Sequence, residues 1–134
     1  MLVLDSSVVL TACSAQDGFA LFGVEELVAT PLMWSEFRSV LHAALWRGEI
    51  SSPLAMATLE ALEAAPIALE NPPQLGRTAW RIADDLGWAR TYDAEHVALA
   101  QILGCPLVTL DRRLQRGAAR LGFVITPEEL PSQS

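Results

Sequence analysis

The sequence predicts an α/β domain with a central, mostly parallel sheet of four to five short strands and helices on both faces. Short apolar runs alternate along the chain with longer stretches of helical character, and only short loops join them. The chain has 134 residues and is 51% hydrophobic, which is enough for one core without disulfides or metal staples. We therefore expect a single domain over residues 1–130 and a disordered tail, "PSQS", at 131–134.

The first elements surround an early acidic residue. Residues 2–4, "LVL", have the character of a buried strand that ends at Asp5. A serine at a possible N-cap then opens a helix over 6–13, "SSVVLTAC", and a second short helix is expected within 18–27. The apolar run at 27–30 predicts the next strand.

Two long helices and a strand follow. Proline at a first helical position loses no needed N–H, so a helix is expected from Pro31 to Arg47, closed by a glycine. Residues 51–66 predict another helix, with a serine cap at its start and a proline as its stop. Residues 67–69, "IAL", predict a short strand.

The last third repeats the alternation. Helices are expected at 73–89, with a glycine break near the end, and at 92–103, where a glycine again stops the helix. The run 106–110, "PLVTL", predicts a strand, 111–122 a helix and 123–125 a final strand.

The charged residues exclude several kinds of chemistry. All nine basic residues are arginine, so a Walker A phosphate loop, a Schiff-base lysine and a kinase-type lysine are absent. The net charge of −7 argues against sequence-blind coating of DNA, which needs many cationic contacts to phosphate. A local basic patch remains compatible with this balance.

The cysteines and the N-terminus indicate a cytoplasmic protein. Cys13 and Cys105 are far apart and neither belongs to a CxxC pair, which is typical of reduced thiols and not of a zinc site. The apolar N-terminus lacks a basic segment and carries Asp5, so it does not resemble a signal peptide. No apolar run reaches the roughly 20 residues that a membrane-spanning helix needs.

Four carboxylates are expected at one edge of the sheet. Asp5 directly follows the first strand and Asp111 directly follows the "VTL" strand, and ligands of such sheets bind beyond the carboxyl ends of the strands. Glu36 lies in the second turn of the helix after the second strand, and Asp93 in the first turn of the helix before the "VTL" strand.

Convergence of these side chains would call for a cation. Like charges in one cleft repel each other, and some stay protonated unless a positive charge compensates. Oxygen ligands alone favour Mg²⁺ or Mn²⁺, which can activate water and stabilise a leaving oxygen in phosphodiester hydrolysis. Taken singly, each residue also has a structural interpretation: Asp5 and Asp111 as caps, Asp93 as a helix-dipole partner and Glu36 as a solvated residue.

The chain resembles the PIN-domain ribonucleases and, among them, the VapC-type toxins of toxin–antitoxin pairs. The matching stretches follow each other in family order over nearly the whole chain: "VLDSSVVL", "TPLMWSEFRSVLHAALWRGEIS", "YDAEHVALAQILGCPLVTLDRRL" and "GFVITPEEL". The resemblance implies a PIN-like α/β/α sandwich and an intact set of acidic metal ligands: Asp5, Glu36, Asp93 and Asp111. It also implies a homodimer and a small antitoxin partner whose tail enters the acidic cleft.

Several neighbours of the acidic residues are candidates for supporting roles. Thr109 matches a hydroxyl residue often found beside this site in the family, although threonine is also ordinary in strands. Ser6 and Ser7 match small polar positions, where we expect helix capping. Arg112 adjoins Asp111 and is the arginine best placed to hold an RNA phosphate. Residues 113, 116 and 120 share helical spacing and form a stripe that either binds phosphate, lies on a solvated face or contacts an acidic partner.

Other polar and aromatic residues are expected to be structural. Glu95 lies two positions from Asp93 on a helix and should face elsewhere. His42 and His96 are expected in surface or boundary packing. The tryptophans at 34, 46, 80 and 88 either pack in a core or dimer contact or stack on RNA bases. The apolar face of the 51–66 helix suits a core, a partner or a second copy.

The hypothesis from the sequence is a Mg²⁺- or Mn²⁺-dependent endoribonuclease that acts as a toxin. One alternative is a housekeeping PIN nuclease that processes RNA without an antitoxin. Another is a phosphatase with Asp5 as nucleophile, which the serine at 7 and the missing lysine disfavour. A third is a non-catalytic interaction module.

Overall fold

The structure, a computed structural model, describes residues 1–130 and contains one five-stranded sheet. The predicted tail at 131–134 lies outside the described residues. The strands are β1 (Leu2–Leu4), β2 (Leu27–Ala29), β3 (Ile67–Leu69), β4 (Leu107–Val108) and β5 (Val124–Ile125). They lie in the order β3-β2-β1-β4-β5 and every pair is parallel, so the predicted parallel sheet is confirmed.

Within residues 1–130, six α-helices connect the strands. They are α1 (Ser6–Cys13), α2 (Pro31–Trp46), α3 (Ser52–Glu63), α4 (Leu75–Leu86), α5 (Tyr92–Leu103) and α6 (Arg112–Gly117). The predicted stops agree with this arrangement, because Gly87 and Gly104 adopt the left-handed conformation directly after α4 and α5. Ser51 caps α3 by accepting from the Leu54 N–H at 3.2 Å.

The core has two halves, one on each face of the sheet. Alternate strand residues point to opposite faces. Val3, Val28 and Leu107 pack with α4 and α5, whereas Leu2, Leu4 and Leu27 pack with α1 and α2. The result is the predicted α/β/α sandwich, with α5 as its most buried helix.

Two predicted helices differ from the structure. Within 18–27 only Gly18–Phe22 is helical, as a 3₁₀ turn, and this turn presses against α1: a Cβ on Gly18 would lie 2.0 Å from the Ala12 carbonyl oxygen. The helix expected over 111–122 ends at Gly117 and resumes as a 3₁₀ turn at Ala119–Leu121. Gly117 packs against the Trp88 ring, where an added Cβ would lie 3.1 Å from the ring.

Among residues 1–130, none of the helices combines the length and the apolar character that crossing a lipid bilayer requires.

We expect Leu99→Ala to lower the free energy of unfolding by about 2–5 kcal/mol, because the fully buried side chain on α5 leaves a cavity. Urea denaturation measures the loss. Leu69→Ala removes a side chain that is 55% exposed and should change stability by no more than about 0.5 kcal/mol. Equal losses for the two variants would contradict this description of the core.

Candidate active site

The carboxyl ends of three parallel strands bring polar residues together at one edge of the sheet. Asp5 follows β1, Thr30 follows β2, and Thr109 and Asp111 follow β4. Helices α2 and α5 begin at the same edge and bring Glu36 and Asp93. A cavity of about 610 Å³ opens here, and we call it the acidic cavity; its lining includes Glu36, Arg90, Tyr92, Asp93, Asp111 and Arg113.

Asp5 lies at the inner end of this group and is 5% exposed. Its Oδ1 accepts hydrogen bonds from the Ser7 hydroxyl at 2.6 Å and from the Val8 N–H at 3.2 Å, so Asp5 itself is the N-cap of α1. The capping role expected for Ser6 and Ser7 was therefore wrong. Ser7 instead joins α1 to the end of β4, because its hydroxyl also accepts from the Leu110 N–H at 3.0 Å.

Thr109 connects two of the acidic residues. Thr109 is fully buried, and its hydroxyl donates to Asp5 Oδ2. The Thr109 Oγ1 atom also accepts a hydrogen bond from the Asp111 N–H at 3.0 Å. Asp111 in turn caps α6, since its Oδ1 accepts from the Arg113 and Leu114 N–H groups at 2.9 and 3.3 Å. The Thr109 side chain thus holds Asp5 and the start of α6 at a fixed separation.

Glu36 is held by a residue that was expected at the surface. His96 is 1% exposed, and its Nε2 lies 2.6 Å from Glu36 Oε1. On the other side of the ring, Nδ1 lies 3.2 Å from the Thr30 hydroxyl oxygen. The surface or boundary placement expected for His96 was wrong. A signal was present, because His96 lies three residues after Asp93 and therefore on the same face of α5.

Asp93 lies on the exposed rim of the acidic cavity, yet the surrounding protein changes the pKa of its carboxyl group. Partial burial raises the pKa of Asp93, and the charges of Asp111, Glu36 and Asp5 raise it further while His96 opposes them. Burial lowers the pKa of His96, but the hydrogen bond and charge of Glu36, with the fields of Asp5 and Asp93, outweigh it and leave that pKa raised. The other three carboxylates are therefore close enough to disfavour the ionised form of Asp93.

Two arginines line the acidic cavity, and they are not the one favoured by the sequence. Arg90 precedes α5, and Arg113 lies in the first turn of α6. Arg112 is exposed and is not part of the lining. Arg120 donates to the Asp85 carbonyl oxygen at 2.7 Å and so ties the 3₁₀ turn to the end of α4. The break after Gly117 separates Arg120 from the expected stripe.

The aromatic residues divide between packing and exposure. Trp34 and Trp88 pack against the two core halves, and Trp88 also forms part of the cavity wall. Trp46 and Trp80 are 82% and 72% exposed. Tyr92 was not singled out in the sequence, but it is 56% exposed at the cavity rim.

Glu95 and His42 lie apart from the acidic residues. Glu95 does not line the acidic cavity, as expected of a residue two positions after Asp93 on the same helix. His42 lines a separate apolar groove of about 680 Å³ between α2 and α3.

The chain is similar to a known protein family over most of its length. The model of the PIN domain family matches residues 2–120. Ribonuclease VapC9 from Mycobacterium tuberculosis is 32% identical over 130 residues, which is 95% of this chain and 99% of that protein.

Two solved structures share the fold at lower identity. PAE2754 from Pyrobaculum aerophilum superposes with a TM-score of 0.72 at 23% identity, over 95% of this chain and 83% of that one. A toxin–antitoxin complex from Klebsiella pneumoniae gives a TM-score of 0.64 at 16% identity, over 97% of this chain and 100% of the matched chain.

We expect Thr109→Val to lower the free energy of unfolding by about 1–3 kcal/mol, because the buried Asp5 carboxylate and the Asp111 N–H each lose a partner. Urea denaturation in a chelating buffer measures the change. Thr11→Val removes an exposed hydroxyl of α1 that bonds only the Ser7 carbonyl one turn earlier and serves as the matched control. A Thr109→Val protein as stable as Thr11→Val would contradict the bridging role.

Proposed function

The chain belongs to the PIN-domain family, and on that premise we propose that it is an endoribonuclease that acts as the toxin of a toxin–antitoxin pair. One observation carries the proposal: Glu36, Asp93 and Asp111 line a single cavity at the strand ends, with Asp5 buried beside them. A relative that spans nearly the whole chain is named a ribonuclease, which supports RNA as the substrate class. The products would be RNA fragments from hydrolysis of a phosphodiester bond.

We propose that Asp5, Glu36, Asp93 and Asp111 hold Mg²⁺ or Mn²⁺. The donor chemistry fits, because every candidate ligand is a carboxylate oxygen and hard divalent cations prefer such ligands. The raised pKa of Asp93 also fits, since burial and the charges of Asp111, Glu36 and Asp5 disfavour its ionised form until a cation compensates. When bound, such a cation supplies an activated water and stabilises the leaving oxygen.

The ligand positions are only partly prepared. Within residues 1–130, no three His, Cys, Asp or Glu side chains already form a cation cage. Three of the four carboxylates are nevertheless oriented by the protein: Asp5 by Ser7 and Thr109, Asp111 by the first turn of α6, and Glu36 by His96. Cation binding therefore requires the carboxylates to move toward one another, and Asp93, which has no hydrogen bond from the chain to its side chain within the described residues, is the least constrained.

Arginines and an aromatic ring around the carboxylates suit an RNA strand. Arg90 and Arg113 line the same cavity, and a guanidinium can hold a phosphate through two parallel hydrogen bonds. Arg112, exposed beside them, would contact a phosphate outside the cavity. The Tyr92 ring at the rim offers a face on which an unpaired base can stack. A single-stranded segment, with bases turned out and phosphates turned in, matches this lining.

A structural relative and an apolar groove support the proposed partners. A structural relative occurs in a toxin–antitoxin complex, which supports a small antitoxin as the partner of this chain. The groove between α2 and α3, with exposed Trp46 and Met56, suits an apolar helix of such a partner. We further propose that the protein is a homodimer and acts in the cytoplasm, where its RNA substrate and reduced thiols would be found.

Purified protein is expected to cleave RNA when Mg²⁺ or Mn²⁺ is present and to stop when the cation is chelated. Asp93→Asn and Asp5→Asn should each lose at least about 100-fold in rate, because each removes charge that holds the cation against the reacting phosphate. Gel analysis of RNA fragments with mapped ends measures the activity.

Glu95→Gln is the matched control for Asp93→Asn, since it neutralises a carboxylate two residues away that does not line the acidic cavity. It should cleave at the wild-type rate. Equal cleavage by the wild type, Asp5→Asn and Asp93→Asn would overturn the assignment. In cells, the toxin role predicts growth arrest on expression of the wild type and none with Asp93→Asn.

Arg90→Ala and Arg113→Ala are expected to weaken RNA binding by roughly 2- to 10-fold each, and Arg112→Ala by less. Each lost phosphate contact should also reduce the slope of log affinity against log salt concentration by roughly 0.7. Binding is measured in the Asp93→Asn background to prevent cleavage. Arg47→Ala, whose guanidinium pairs with Glu49 at 2.8 Å beyond the far end of α2, is the control and should bind normally. Losses as large for Arg47→Ala would contradict a local phosphate contact.

A further inference from the structure

His96 is a polar side chain in an otherwise apolar part of α5, and both of its ring nitrogens have hydrogen-bond partners. Its neighbours Ala94, Val97, Ala98, Leu99 and Ala100 are all buried and apolar. A buried imidazole needs partners for both ring nitrogens, and His96 has them: Glu36 Oε1 at 2.6 Å and the Thr30 hydroxyl at 3.2 Å. Packing alone does not require this arrangement, since an aliphatic side chain would fill the same space without needing either partner.

We propose that His96 is a positioning residue that holds Glu36 in its cation-binding orientation. The inference rests on the proposed function, because it assigns His96 a task only if Glu36 binds a cation. It adds a chain of three side chains, Thr30–His96–Glu36, that runs from the end of β2 through α5 to the second turn of α2.

The donor and acceptor roles follow from the chemistry of the groups. An ionised carboxylate only accepts hydrogen bonds, so Nε2 carries the proton that bonds Glu36 Oε1. The Thr30 hydroxyl pairs with Nδ1 in either protonation state, because it accepts from Nδ1–H of a protonated ring and donates to Nδ1 of a neutral one. Thr30 thereby fixes the ring orientation that presents the Nε2–H donor to Glu36. Glu36 Oε2 has no hydrogen-bond partner among the described residues and remains available to a cation.

The contact with His96 also restricts the mobility of Glu36. A glutamate side chain rotates about several bonds, so holding it in one orientation costs rotamer entropy. His96 is already immobilised in the core, so its contact orders Glu36 before any cation arrives. Because His96 lies three residues after Asp93, the same face of α5 carries the proposed ligand Asp93 and the residue that positions Glu36.

Calorimetric titration with MnCl₂ alone tests the proposal without relying on activity. Gln at position 96 keeps an N–H near the position of Nε2, whereas Asn keeps one near Nδ1 and cannot reach Glu36. We expect His96→Asn to bind Mn²⁺ about 10- to 100-fold more weakly than the wild type, and His96→Gln to recover most of the affinity. Thermal melting in chelator separates this effect from loss of folding, because both variants should lose similar stability.

A double-mutant cycle asks whether His96 acts through Glu36. In the Glu36→Gln background, adding His96→Asn should not weaken Mn²⁺ binding further, because the side chain that His96 positions no longer carries the charge. Additive losses would show a general structural role and overturn the proposal.

The remaining outcomes are distinguishable. A folded His96→Asn protein that binds Mn²⁺ as tightly as the wild type overturns the positioning role alone. A wild type that binds no Mn²⁺ overturns the cation site of the proposed function. If His96→Asn does not fold, Thr30→Val replaces it in the comparison. A several-fold weaker Mn²⁺ affinity supports the positioning role of His96, and an unchanged affinity overturns it.

Discussion

The convergence of four carboxylates at one edge of the sheet is the feature on which the candidate site depends. The parallel order β3-β2-β1-β4-β5 places the ends of β1 and β4 side by side, so residues that follow them meet. Helices α2 and α5 begin at the same edge and add two more acidic side chains. The raised pKa of Asp93, caused by burial and by the other three carboxylates, is the electrostatic mark of this convergence.

Donors within the chain satisfy two of these carboxylates. Asp5 accepts from Ser7, Val8 and Thr109, and Asp111 accepts from the first N–H groups of α6. Capping a helix and binding a cation had appeared as competing interpretations of these two aspartates. For Asp111 the structure makes them compatible, because its Oδ1 caps α6 and its Oδ2 has no hydrogen bond within the described chain. Both oxygens of Asp5 already accept hydrogen bonds from the chain. Each cap also restricts the rotamer of its aspartate.

Most of the fold could be predicted from local pattern. All five strands and the four longest helices, α2 to α5, follow from apolar runs, from a proline or a capping serine at helix starts and from glycine or proline after helix ends. The two errors in helices, at 18–27 and 111–122, arose where tertiary packing decides: Gly18 against Ala12, and Gly117 against Trp88. Neither contact leaves a trace in the local sequence.

The site was predictable in its acidic residues and less so in their neighbours. Asp5 and Asp111 stand directly after strands, so topology alone brings them together. The roles of His96 and Arg90 depend on pairings across 60 residues of chain or on the path of a loop, and a single sequence does not reveal these. The spacing of His96 from Asp93 was the one available signal.

Anomalous diffraction from crystals grown with Mn²⁺ tests the account most directly. A shared cation predicts an anomalous peak within the acidic cavity, bound by carboxylate oxygens of Asp5, Glu36, Asp93 and Asp111, and absent from crystals of Asp93→Asn. An ordered cavity without a peak, in crystals that hold Mn²⁺ at another site on the protein, would contradict it.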